Sequence, residues 1–406
     1  MKHVNIFKWI SFLDGLYFTT IVTSLYAVHV GMGLSDVVLA QAIYSTTVFL
    51  MEIPTGIVAD KFGKKASMIL GFTSGIVGVF IFLLNPMVLT LFAMRVFQAT
   101  GNALNSGARE ALLYDITAPL KLNFKKVWGS VLSISIFGQA LTGVVAGITL
   151  AIWGAAAFVP LFIATNLMQL GAAVLTTFIP EGRTNTDEVA QNKKAWVLLR
   201  ESFSLFRRNT VLFALAAVGF LTVANEYFLY QTYGPFLSEH AVSLFWVGAV
   251  FTIGLLLNAL IVRNVYRLEQ YLTLEKILAL INFTIAAAYL GLGLIHNGTA
   301  LVVATIILIG FANTEQPVVS DYANKQISSD IRATVLSGMS LITRLSKLAL
   351  TFLVGAVMVG ADPVIGFLIH AFYITIGMCI GWWLLVRCGC VRKVDHTTGQ
   401  IPGVNP

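Results

Sequence analysis

Gly56-Ile57-Val58-Ala59-Asp60-Lys61-Phe62-Gly63-Lys64-Lys65 carries four charges in ten residues and separates two long apolar runs, 37–59 and 66–84. Each run has about 20 residues, the length a helix needs to cross roughly 30 Å of hydrocarbon. A short charged segment between two such runs reads as a hairpin of membrane-spanning helices with its bend in water. Three of the four charges are lysines, and lysine in short loops marks the cytoplasmic face of a membrane.

The same pattern recurs along the chain. Apolar blocks lie near 9–31, 37–59, 66–84, 87–108, 128–152, 156–179, 210–233, 242–262, 275–295, 299–320, 333–359 and 364–386. Of 406 residues, 57% are hydrophobic and 11% charged, against about 25% charged in a soluble domain. An ordinary soluble protein is excluded. Open sheets leave backbone groups unsatisfied in lipid, and a barrel shows short alternating strands, so the blocks predict an all-α membrane protein with twelve transmembrane helices. The opening MKHVNIFKWISFLDG has no small-residue cleavage site and predicts a retained first helix rather than a signal peptide. The cysteines, Cys379, Cys388 and Cys390, have neither the pattern of a disulfide framework nor the partners of a zinc site.

Charge placement gives the orientation. Of the 26 lysines and arginines, 23 fall on one alternating set of connections and none on the other. Both termini are therefore expected in the cytoplasm, with an even number of crossings. The connections on the opposite side are a few residues long and leave no room for an external domain. The longest connection, 180–209, divides the chain into six-helix bundles at 1–179 and 210–386 and is followed, after the second bundle, by a polar tail, 387–406. Within it Trp196, Leu199, Phe203 and Phe206 share one face among basic residues, as in a helix lying in the headgroup layer.

Ionisable groups at bilayer depth are costly and default to function. Asp14, Glu52, Arg95, Glu226, Glu315, Arg344 and Lys347 fall inside the blocks. Arg95 requires an anion, for which Asp14 and Glu315 are the candidates. Tyr17 follows Asp14 by less than one turn. Asn225-Glu226-Tyr227, with Tyr230, makes the outer part of the seventh block polar and aromatic, as a solute wall would be. Asn313-Thr314-Glu315-Gln316-Pro317 places a helix-breaking proline beside an acid, where freed carbonyls line cavities. Arg344 and Lys347 lie one turn apart, placed to bind an anion or to neutralise Glu226 or Glu315. Glu52 reads as a gate or structural group. No two histidines have i, i+4 spacing, so no metal site is expected, and no cofactor is called for.

The segment 56–65 resembles the signature loop of the major facilitator superfamily, G-x-x-x-D-[RK]-x-G-[RK]-[RK], with every specified position filled. Glu52-Ile53-Pro54-Thr55-Gly56, the stretch 106–115 and Arg332-Ala333-Thr334-Val335-Leu336-Ser337 resemble further parts of bacterial members. Arg95-Val96-Phe97-Gln98-Ala99-Thr100-Gly101-Asn102-Ala103 is similar to the R-x-x-Q-G-x-G-x-A motif of the fourth helix, with Ala99 at the first glycine. The resemblance implies two pseudo-symmetric six-helix bundles. It also implies a gating latch built from Gly56, Asp60, Lys61, Gly63, Lys64 and Lys65, with Arg109 a partner for Asp60. Gly56 would allow close helix packing. In proton-coupled members the arginine at Arg95 is tied to proton transfer, with Gln98 beside it. The fifth block has Gly138, Gly143 and Gly147 without the proline of drug–proton antiporters, a departure from that branch.

The expected function is a secondary active transporter working by alternating access in a bacterial-type inner membrane. Proton-coupled efflux of a drug-like or amphipathic compound is the first expectation. Uptake of a sugar, peptide or organic acid is the alternative, with lipid flipping a third. The expected partners are a small molecule, protons and lipid, without nucleic acid, and the chain is expected to act as a monomer. A membrane-embedded enzyme or a sensor is the rival class. It would draw on Glu110, Asp115 and the lysines at 121, 125 and 126, with no histidine among them, and an enzymatic role is not expected.

Overall fold

The computed structural model describes residues 1–181, 210–222, 226–312, 314–315, 318–319, 322–323, 332–358 and 362–387. Every described element is a helix. The connection 182–209, with its amphipathic reading, lies outside the described residues, as do Asn225, Asn313 and the tail beyond Arg387.

The helices run α1 Lys2–Gly15, α2 Thr19–His29, α3 Leu34–Phe62, α4 Lys64–Leu84, α5 Val88–Thr117, α6 Phe124–Trp153, α7 Phe158–Thr177, α8 Thr210–Leu221, α9 Glu226–Glu239, α10 Leu244–Asn264, α11 Leu274–Leu294, α12 Gly298–Phe311, α13 Arg332–Val357 and α14 Pro363–Arg387. Their order is consistent with twelve crossings once α1 with α2, and α8 with α9, are each taken as one interrupted crossing. Seven helical stretches among the described residues are apolar and long enough to span, one of them Lys126–Thr177, which folds back through Gly154. Helix α5, which holds Arg95 and Arg109, is not among them. Helix α5 has 30 residues, about 45 Å at 1.5 Å per residue, so it outruns the hydrocarbon layer at its charged end.

Large apolar side chains such as Leu50, Phe80, Leu89, Phe137, Ile152 and Leu167 are exposed on the chain. On a soluble protein such patches would aggregate; here they are the surface that lipid covers. Inside the helix layers, association relies on close packing and hydrogen bonds, because lipid tails are as apolar as leucine.

The chain divides into two compact units. The first comprises Met1–Asn192, Tyr227–Leu255 and Thr351–Pro363; the second comprises Lys193–Glu226, Leu256–Leu350 and Val364–Pro406. In the first, Val4, Phe7, Ile10, Met68, Phe72 and Leu112 belong to one buried core. Helix α1 crosses α6 backbone to backbone: a Cβ at Gly15 would collide with the Ser135 carbonyl oxygen, and one at Gly138 would lie 2.7 Å from that of Phe12. Immediately past this crossing the helix stops. Leu16 N–H is shared between Phe12 and Leu13 carbonyls at 3.2 and 3.1 Å, and Tyr17 N–H turns to Gly15 at 2.9 Å. The first apolar block, read as one continuous helix, is thus two helices with an irregular joint at Leu16–Phe18. The joint sets Asp14 and Tyr17 on the wall of a cavity.

In the second unit, α12 ends at Ala312, whose backbone is extended. The carbonyls released there are not left bare. Asn258 of α10 donates to Gly310 O at 3.0 Å and to Ala312 O at 2.7 Å. This meets the requirement that broken helices in a membrane be re-satisfied by side chains.

Candidate functional site

Within the first unit a cavity of about 420 Å³ is walled by α1, α2, α3, α4, α5, α6, α7, α9 and α10. That volume falls in the range of small-molecule sites. Its lining is polar for a membrane interior. Asp14, Tyr17, Arg95, Gln98, Arg109 and Tyr230 all belong to it, so six of the sequence candidates are brought together.

Asp14 is bound at both oxygens. Arg109 Nη2 donates to Oδ2 at 2.7 Å and Gln169 Nε2 to Oδ1 at 3.2 Å. The loop reading had paired Arg109 with Asp60. The ion pair that Arg109 makes here is with the carboxylate of α1.

Arg95 is 6% exposed. The anion expected beside it is absent among the described side chains: its Nη1 donates to Gln98 Oε1 at 3.2 Å and its Nη2 to Gln231 Oε1 at 2.7 Å. Neutral amides hold this cation, and Asp14 is taken by Arg109. Glu315 belongs to the second unit, where Asn282 Nδ2 donates to Oε2 at 2.9 Å and Thr222 Oγ1 at 3.1 Å. Lys347 of α13 acts on it electrostatically within that unit. Arg344 stands one turn before Lys347 and is exposed. Glu226 begins α9, and its side chain lies outside the described ones.

The loop between α3 and α4 is a single residue, Gly63, with φ +95°. A side chain there would be strained by the left-handed backbone. It would also overlap the Glu181 carboxylate, which accepts the Lys65 N–H at 3.2 Å. Glu181 is therefore the acid at the N-terminus of α4, where negative charge is stabilised. Lys64 pairs with Asp115 at 2.8 Å and Lys65 Nζ donates to the Thr177 carbonyl at 2.6 Å. Lys61 lies 5.5 Å from the centre of the Phe62 ring. Gly56 does not pack closely: a Cβ there would meet nothing within 4 Å. The tight glycine of this segment is Gly63.

The residues missed by the sequence reading are mostly amides: Gln41 and Gln169 around the cavity, and Asn258 and Asn282 in the second unit. The signal was present. An unpaired amide in hydrocarbon is costly too, and each of these interrupts an apolar block.

The chain matches the Major Facilitator Superfamily model over residues 6–349. It is 21% identical over 325 residues to the uncharacterized MFS-type transporter YxaM of Bacillus subtilis (strain 168), covering 77% of this chain and 78% of that protein. Its fold is similar to that of the nucleoside transporter NupG (D323A mutant), with TM-score 0.77 at 15% identity over 94% of this chain and 99% of the other. It is also similar to a D-xylose-proton symporter, with TM-score 0.68 at 16% identity over 98% of each chain. The glycine-turned basic loop and the interrupted first crossing thus sit in a chain matched to one family along most of its length, and that chain belongs to the Major Facilitator Superfamily.

Proposed function

We propose that this protein is a proton-coupled carrier that takes up a small polar solute across the inner membrane. The observation that carries the reading is the 420 Å³ cavity of the first unit, where a buried arginine, an Asp14–Arg109 pair, three tyrosines and several amides meet in an otherwise apolar bundle. Drug-like or amphipathic cargo, the first expectation from the sequence, has less support. Phe251 is the one large apolar side chain on that wall, and a wall of hydrogen-bonding groups discriminates polar solutes most sharply. The nucleoside transporter and the sugar symporter of similar fold are in keeping with a polar cargo.

Alternating access moves the six-helix halves, 1–179 and 210–386, about the bound solute. Glu315 is the proton carrier: its oxygens are held by the neutral donors Thr222 and Asn282, which support either charge state of a carboxyl. The loop 56–65 latches one state. Both termini face the cytoplasm, as the lysine and arginine distribution supports, and the monomer is the working unit. Purified protein in proteoliposomes with an imposed pH gradient tests the reading with labelled nucleosides, pentoses, dipeptides and small organic acids. Gradient-driven accumulation of one class is expected. Accumulation of none, with gradient-driven extrusion of hydrophobic dyes, overturns it.

A further inference from the structure

The polar network around Arg95 has an excess of donors. A guanidinium has five N–H groups and no acceptor, so Gln98 and Gln231 must both turn their carbonyl oxygens toward it. Gln231 then has only its amide nitrogen to offer onward, and donates it to Gln41 Oε1 at 3.4 Å. The side-chain oxygens of Gln98, Gln231 and Gln41 each accept one of these bonds. Arg95 Nε, Gln98 Nε2 and Gln41 Nε2 are left without a hydrogen-bond partner. Their side chains are 6%, 5% and 2% exposed, and all three residues line the cavity.

The charge is unbalanced in the same sense. Of the cations on the cavity wall, Arg109 is paired, with Asp14. Asp14, the one described carboxylate on the cavity wall, is already held by Arg109 and Gln169. Nothing described offsets the Arg95 cation. A sugar hydroxyl would bring a donor as well as an acceptor and leave that charge standing. An anionic oxygen group brings only acceptors and cancels it.

We propose that Arg95, with Gln98 and Gln41, receives the carboxylate or phosphate of an anionic solute. The inference rests on the cavity being the solute site proposed above and names the solute's class. The amide chain from Arg95 to Gln41 makes α3, α5 and α9 a single receptor, since Gln41, Arg95 with Gln98, and Gln231 come from those three helices.

Thermal unfolding of the full-length protein in detergent, in buffer free of phosphate and carboxylates, tests it. Matched probes are lactate against lactamide, benzoate against benzamide, and glycerol 3-phosphate against glycerol. The anion of at least one pair is expected to raise the unfolding midpoint while its neutral partner does not; which pair responds separates carboxylate from phosphate. In Arg95→Gln the apparent Kd for that anion is expected to rise about tenfold or more, and less in Arg95→Lys. Equal response to anion and neutral partner in every pair overturns the proposal on wild-type protein alone, whether or not the variants fold. A wild-type response in Arg95→Gln also overturns it. Flux separates this failure from that of the carrier reading. A neutral solute moved by Arg95→Gln at the wild-type rate keeps the carrier and removes the anion site. Anion binding without flux of any solute keeps the site and removes the carrier.

Discussion

Arg109 Nη2 lies 2.7 Å from Asp14 Oδ2, joining the end of α1 to the charged half of α5 across the cavity wall. Both side chains are largely withdrawn from solvent, at 19% and 26% exposed. Removing one partner leaves the other charge short of a hydrogen bond worth about 1.5–3 kcal/mol. Asp14→Asn and Arg109→Gln are each expected to lower the thermal midpoint and to reduce solute flux. The double variant is expected to lose less than the sum, with a coupling of about 0.5–3 kcal/mol in a mutant cycle on stability. Additive losses would mean the two groups act separately.

Glu315→Gln keeps the volume of the side chain and leaves an amide oxygen to accept from Asn282 and Thr222. It removes the titratable group proposed to carry the proton. Accumulation driven by a pH gradient is expected to vanish, while exchange of solute across a membrane without a gradient persists. Gradient-driven accumulation at the wild-type level in this variant would move the proton carrier elsewhere.

Much of the fold was legible because a membrane imposes long apolar blocks and sorts lysine and arginine to one side. The joint at Leu16–Phe18 was not, because its cause is tertiary. Gly15 meets Gly138, more than 120 residues away, and hydropathy does not register a backbone contact. The cavity was half legible. Asp14, Arg95 and Arg109 stand out as charges, but their partners do not follow from spacing. Arg95 was read as needing an anion, and Gln98 and Gln231 hold it instead. Gln98 lies one turn from Arg95, whereas Gln231 comes from a helix far along the chain. Charge marks a position as costly without naming the group that satisfies it.

The loop 56–65 separates two glycines that sequence treats alike. Gly63 has φ +95° and abuts Glu181, whereas a Cβ at Gly56 would have open space inside α3. Gly63→Ala is expected to cost about 1–2 kcal/mol from the left-handed backbone alone. Gly56→Ala is expected to be neutral or to stabilise by up to about 1 kcal/mol through helix propensity. Thermal unfolding of the two variants side by side checks this, and equal losses would contradict it.

Helices α6 and α10 touch through backbone at Gly143, Gly147 and Gly248. A Cβ on Gly248 would collide with the Gly143 carbonyl oxygen and lie 2.5 Å from the Gly147 nitrogen. Thr252 Oγ1 reaches across the same crossing to the Ala140 carbonyl at 2.8 Å. Both obstacles to a side chain are backbone, which cannot rotate away, so the helices themselves must separate. Gly248→Ala is therefore expected to destabilise by about 1–3 kcal/mol, the usual cost of overpacking. It should also raise the labelling rate of a cysteine placed at Ala140 by a membrane-impermeant maleimide. Gly129 lies on the same α6 with nothing within 4 Å of an added Cβ, so Gly129→Ala should leave both readouts unchanged. If Gly248→Ala is as stable as Gly129→Ala and labels no faster, the crossing is not held by backbone contact.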